Sequence, residues 1–125
     1  MRWLSGFETH QATITGDRQT GTEDDGYGGT KPVTETITVF EGWIRYESNG
    51  AGLARDFQGE RSEDEPVVFI DGVDAVNDLG SINIREDDTL EIDGLEGTFE
   101  PRNIEPQFLD GSDPAIVLLN PVEVS

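Results

Sequence analysis

The chain has no cysteine and a single histidine among its 125 residues, and only one of its eight basic residues, Lys31, is a lysine. Without cysteine there is neither a disulfide framework nor a thiolate-ligated zinc site. With one histidine, a nucleophile–base pair has to use His10, and no elbow of the GxSxG kind accompanies it. No run of about 18 apolar residues occurs, so no helix is expected to cross a membrane. The opening stretch "MRWLSGFETH" lacks an apolar core of signal-peptide length, so export by that route is not expected. Basic patches of the sort that track a phosphate backbone are missing too.

What is present is acid. Aspartate and glutamate number 27 against the eight basic residues, for a formal net charge of −19. A disordered acidic chain does not fit, because "PVVFID" and "AIVLLN" demand burial. A nucleic-acid mimic and an adaptation to molar salt both fit, and the second is the simpler. At about 1 M salt the Debye length is roughly 3 Å, so like charges on one surface no longer repel at distance. The composition therefore points to a halophilic source and says little about function.

Strand patterns run almost throughout, within one domain over 1–125. In 10–16, Ala12 and Ile14 share one face while Gln11, Thr13 and Thr15 share the other. In 33–47 the apolar phase slips by one: Ile37 and Val39 hold one parity and Phe40, Ile44 and Tyr46 the other. Such a slip predicts a bulge or bend near Glu41 and Gly42. "PVVFI" reads as a strand buried on both faces, and "SINIR" and "TLEI" as strands around the turn "EDD". Pro101 in "GTFEPRNI" predicts an edge position or a strand end. "AIVLL" and "VEV", broken by Pro121, complete the sheet. The one helical candidate is 72–79, with Val73, Val76 and Leu79 spaced for one face. The fold class expected is all-β: a small antiparallel β-barrel or sandwich with two long loops and at most one short helix.

The two loops are 20–32, "TGTEDDGYGGTKP", and 48–65, "SNGAGLARDFQGERSEDE". Loops of that length inside a compact domain are usually functional or disordered. Extended, the 18 residues of the second have a contour of roughly 60 Å and double back to project about 30 Å. A 1–9 tail precedes the first strand and holds Trp3, Leu4 and Phe7, suited either to covering the barrel's open end or to docking on a neighbour.

Chemistry is harder to find. His10 reads as a surface or core-edge side chain. The acidic clusters "EDDG", "SEDE" and "REDD" attract cations, yet none has calcium-loop spacing. "GYGG" lacks the lysine and helix start of a phosphate cradle. Neither catalytic residues nor a metal or cofactor is expected.

The order of elements carries more. "DGYG" at 25–28, the strand "TVFEGWIRYE" at 38–47, and the hairpin formed by Asp88, Leu90, Ile92, Asp93, Gly94 and Phe99 together resemble the head-closure, or stopper, proteins at the head–tail joint of long-tailed phages and archaeal tailed viruses. The likeness covers roughly 11–104. Two departures stand in it: Asp87 occupies a position usually held by glycine, and "LEG" lengthens the hairpin turn. The resemblance implies a non-enzymatic virion protein of the neck, assembled in the cytoplasm of the host. It implies a homo-oligomeric ring, of six or twelve copies, below the portal and adaptor rings and above tail-completion or tail proteins. Double-stranded DNA would pass without sequence-specific binding, and a long loop would help retain it.

The family transfers no site residue, so the candidates are physical ones. For a channel or plug loop they are Gly50, Gly52 and Gly59 as bends, Leu53 and Phe57 as apolar contacts, and Arg55 and Arg61 as partners for acidic neighbours. For contacts between subunits or rings they are Trp3, Leu4, Phe7 and Tyr27. Rival readings are another connector ring, such as a tail terminator, and a cellular OB-like module that would use Trp43 and Tyr46 beside Arg45.

Overall fold

A computed structural model describes residue 4 and residues 6–48, 65–75, 83–107 and 115–124. Its strands are β1 (His10–Asp24), β2 (Thr30–Glu47), β3 (Val67–Asp71), β4 (Thr89–Ile92), β5 (Phe99–Gln107) and β6 (Ile116–Glu123), with one short helix, α1 (Gly72–Ala75), after β3. They close into a six-stranded antiparallel barrel in the order β1-β2-β3-β6-β5-β4. Among the described residues no helix is long and apolar enough to cross a membrane. The plug-loop candidates Gly50, Gly52, Leu53, Arg55, Phe57, Gly59 and Arg61 lie outside the described residues, as do Trp3 and the second half of the 72–79 helix candidate.

Alternation fills the barrel. Ala12 and Ile14, Phe40 and Ile44, Val68 and Ile70, Leu90 and Ile92, and Val117 and Leu119 point inward from five strands into one buried cluster. β3 and β6 are apolar on their other side as well. Val67, Phe69, Ile116 and Leu118 form a second buried cluster outside the barrel wall, joined by Leu4. That explains why "PVVFI" and "AIVLL" read as unbroken apolar runs: each strand has a core on both faces. Each fully buried aliphatic or aromatic side chain here removes enough surface from water to stabilise the fold by roughly 1.5–3 kcal/mol.

Three local expectations change. The phase slip in β2 is a bulge at Val39, not at Glu41 and Gly42: Ile14 faces Phe40 and Thr15 faces Thr38, leaving Val39 extra. "SINIR" does not continue as a strand through 83–85. There Asn83 O is engaged by Arg18 Nη2 (2.7 Å) and Arg85 N donates to Asp88 Oδ2 (2.8 Å), so side chains take the backbone groups a ladder would use. Pro101 lies inside β5, but β4 has by then left that edge, since those strands pair only at Leu90 and Phe99. Its other neighbour is Pro121, so neither residue of the pair has an N–H to donate.

The largest change concerns 20–32. Only 25–29 leave the ladder; the remainder is the outer half of a long hairpin, paired from His10–Ile44 out to Asp24–Thr30. Threonines at 20, 22, 30, 34 and 36 favour extended backbone even without a buried face. Cross-strand contacts between Lys31 and Glu23 (3.2 Å) and between Thr36 Oγ1 and Asp17 Oδ1 (2.6 Å) tie the two strands.

Candidate functional site

Two strands that leave a barrel together have no core to rest on. From Gln19 to Asp24 every residue of β1 is exposed, and from Thr30 to Thr36 every residue of β2 except half-buried Val33. A two-stranded ribbon with both faces in water is marginal by itself. A second bulge, at Thr20 between the pairs Gln19–Thr34 and Gly21–Val33, lies where the ribbon leaves the barrel.

The tip is more ordered than its glycines suggest. Asp25 Oδ1 accepts from Tyr27 N (2.7 Å) and Gly29 N (3.1 Å), and Asp24 Oδ1 accepts from Gly26 N (2.8 Å). Asp25 N closes the turn on Gly29 O (3.2 Å). Gly26 and Gly28 have φ of 83° and 85°, a region that side chains resist. These aspartates act as turn-formers, and what they hold out is Tyr27, 94% exposed.

At the barrel end of the arm sits an ion pair that the sequence did not announce. Arg18 takes the inward parity of Ala12 and Ile14, and its guanidinium donates to both carboxylate oxygens of Asp88, each at 2.8 Å. Both side chains are nearly fully buried. Arg18 Nη1 also donates to Asp17 O (3.1 Å), while Nε is buried without a partner. The hydrogen bond to Asp88 holds the guanidinium above its already high ordinary pKa, against the opposing effect of burial. Gly16 lies beneath: a Cβ there would overlap the Asp88 carboxylate and crowd Arg18 Nη1. The pair fastens the root of the arm to the start of β4.

The outer face of β2, β1 and β4 holds the other exposed aromatic of note. Gln11 stands between Trp43 and Asp93, its carbonyl accepting from Asp93 N (2.9 Å), and in the next row Thr13 stands between Glu41 and Glu91. Trp43 is 53% exposed. Glu41, Glu91 and Asp93 have no ion-pair partner among the described residues. Arg45, next along β2, is engaged by Glu47 Oε2 (2.9 Å) and Phe7 O (3.0 Å). A platform for single-stranded nucleic acid needs basic neighbours beside its aromatics, and this face offers carboxylates. His10 sits at its end, with Nδ1 at 2.8 Å from Thr9 Oγ1 and its ring edge-on to Tyr46 at 5.6 Å. Among the described residues no three potential metal ligands come together.

The contact candidates separate. Tyr27 is displayed and Phe7 is exposed, whereas Leu4 is 1% exposed within the outer cluster, its N–H donating to Asp71 Oδ1 (3.0 Å). Leu4 therefore covers the outer wall of β3 and β6, not the barrel's open end, and is not free to meet another ring. Most of the hairpin residues behind the family likeness have work in the fold. Asp88 pairs with Arg18, Leu90 and Ile92 fill the core, Gly94 turns with φ 90°, and Phe99 packs beside them. Compared with family models, curated proteins and solved structures, the chain matches none, so a functional reading rests on this geometry.

Proposed function

We propose that this protein is a ring-forming structural component of the head–tail connector of a tailed virus, closing the DNA channel below the portal and adaptor. The observation that supports it best is the arm. A ribbon wet on both faces, rooted by a buried ion pair and ending in a rigid turn with an exposed tyrosine, suits a subunit that completes itself against neighbours. Its acidic surface suits a channel part as well: carboxylates repel the DNA backbone and let it pass without sticking. The retaining role would fall to the 48–65 loop, of which 49–64 lie outside the described residues. A halophilic host accounts for the net charge of −19.

The test is the mass of the purified protein in about 2–3 M salt, where surface repulsion is screened, with and without candidate portal and adaptor partners. Incorporation into a ring on the partner complex supports the proposal. A protein indifferent to every particle component, yet retained on single-stranded DNA, overturns it in favour of a binding module.

A further inference from the structure

Where aspartate precedes glycine, a side-chain carboxyl carbon lies within reach of the next backbone nitrogen, and glycine has no Cβ to obstruct the approach. Such pairs occur at 25–26, 71–72, 93–94 and 110–111, and the related asparagine–glycine pair at 49–50. The pairs at 25, 71 and 93 lie among the described residues, and the fold treats them differently. At 71–72 both reacting groups are taken: Asp71 is 2% exposed, its Oδ1 accepts from Leu4 N (3.0 Å), and Gly72 N donates to Ala115 O (2.9 Å). At 25–26 they are taken again. Asp25 Oδ1 accepts from Tyr27 N and Gly29 N, and Gly26 N donates to Asp24 Oδ1 (2.8 Å). Asp93 and Gly94 differ on every count. Both are exposed, and among the described residues neither the Asp93 carboxylate nor the Gly94 N–H has a hydrogen-bond or ion-pair partner.

The backbone on either side of this pair is held, but the peptide between them is not. Asp93 N donates to Gln11 O (2.9 Å) and Leu95 N to Ile92 O (3.1 Å), which makes Asp93 and Gly94 the central residues of a β-turn. The peptide unit joining the central residues takes no part in the bond that closes such a turn, so it rotates without breaking it. That rotation is what brings Gly94 N towards Asp93 Cγ, and Gly94, at φ 90°, accepts backbone angles that other residues resist. The pair lines an open hollow of about 390 Å³ shared with His10, Gln11 and Trp43, so water has access to it.

We propose that Asp93 is a modification site, isomerising spontaneously to isoaspartate, and that the fold sets it apart from Asp25 and Asp71. Gly94 N attacks Cγ of the protonated Asp93 carboxyl. The new N–C bond closes a cyclic imide, while the N–H proton and the carboxyl hydroxyl leave as water. Water then adds back: opening at the side-chain carbonyl restores aspartate, and opening at the main-chain carbonyl leaves the chain running through Cγ with the α-carboxylate as its side group. Atoms balance with water alone, and no oxidant or second substrate takes part. The product lengthens the backbone by a methylene next to Ile92, which fills the core, and at the N–H that ties the end of β4 to Gln11 of β1. The inference needs only the folded chain and stands apart from the assembly reading.

Trypsin places every such pair on its own peptide: Asp93 in 86–102, Asp25 in 19–45 (Lys31 is shielded by Pro32) and Asp71 in 62–85, with 49–50 and 110–111 on two others. The full chain is aged in about 2–3 M salt at about pH 6 and digested. Isoaspartate is read as altered elution at unchanged mass and as enzymatic methyl transfer from S-adenosylmethionine to its α-carboxylate. We expect it in 86–102 at least about tenfold ahead of 19–45 and 62–85, because each native hydrogen bond that has to open first slows the attack by about two- to tenfold. In protein unfolded by urea the lead should vanish. Asp93→Glu, whose longer side chain closes the ring far less readily, should lose the signal from 86–102 and keep the others. Equal accumulation in the folded chain overturns the proposal, as does a signal in 86–102 that survives Asp93→Glu. A lead of the same size in urea overturns it too, by assigning the reactivity to local sequence instead of the fold.

Discussion

Arg18 and Asp88, 70 residues apart in the chain, meet in a two-bond ion pair that is nearly fully buried. Such a pair is weak evidence of net stability, because the desolvation of both charges offsets their attraction. Breaking it by removing one partner is a different matter. Asp88→Asn or Arg18→Met leaves a buried charge without its counter-charge, and we expect a loss of about 3–5 kcal/mol in denaturant titrations. The double change Arg18→Met with Asp88→Leu should cost much less than the sum of the single ones. Additive losses would mean the two residues do not act as a unit.

The same pair has a signed pH dependence. Arg18 is raised in the folded state, so its contribution is complete throughout the range below its ordinary, strongly alkaline pKa and disappears only above it. Arg18→Lys brings that window into reach. A lysine whose pKa is raised by Asp88 stabilises the fold below about pH 10.4 and loses that contribution as pH rises through its folded value. Thermal melts between about pH 8 and 11 should show a steeper alkaline decline for the lysine variant than for the parent; parallel profiles would remove the ion pair from the explanation.

Gly16→Ala tests the seat of the pair. The added Cβ meets a carboxylate pinned by the guanidinium and by Arg85 N, not the loose end of a surface side chain. We expect a loss of about 1–3 kcal/mol, typical of overpacking. In the Arg18→Met/Asp88→Leu background the cost should change, since the atoms in the way are different. An unchanged cost would place the strain elsewhere.

Much of the barrel was legible because burial leaves a period. Ala12 and Ile14, Leu90 and Ile92, and the doubly apolar "PVVFI" declared their faces through alternation or its absence. The arm was not, for the converse reason: a ribbon with no buried face has no apolar period, and glycine with acid reads as loop. The signal that remained was threonine at alternating positions on either side of "DDGYGG". Arg18 was not legible, although it continues the inward parity of Ala12 and Ile14, because the apolar alternation stops before it. Its partner was not, because pairing across 70 residues is set by barrel closure and not by spacing.

Salt should govern stability. With a net charge of −19, repulsion between exposed carboxylates acts over about 10 Å at 0.1 M and about 3 Å at 1 M. Melting temperature should rise steeply from about 0.1 to 2 M potassium chloride. Asn or Gln substitutions at Glu41, Glu91 and Asp93, three carboxylates without ion-pair partners among the described residues, should flatten that rise. A melting temperature indifferent to salt would detach the acidity from halophilic adaptation.

Shortening the arm separates fold from assembly. Replacing 20–33 by Asn-Gly joins Gln19 to Thr34, which already face each other, through a two-residue turn that suits a hairpin. The deleted residues are exposed apart from half-buried Val33 and Asp25, and none belongs to either core cluster. The shortened protein should therefore melt within a few degrees of the parent, a change worth about 1 kcal/mol or less, while the Arg18–Asp88 pair stays. If the arm exists for neighbours, this same protein loses entry into the partner-bound ring at molar salt. Collapse of the barrel would make the arm part of the fold, and unimpaired ring entry would leave it without a role in assembly.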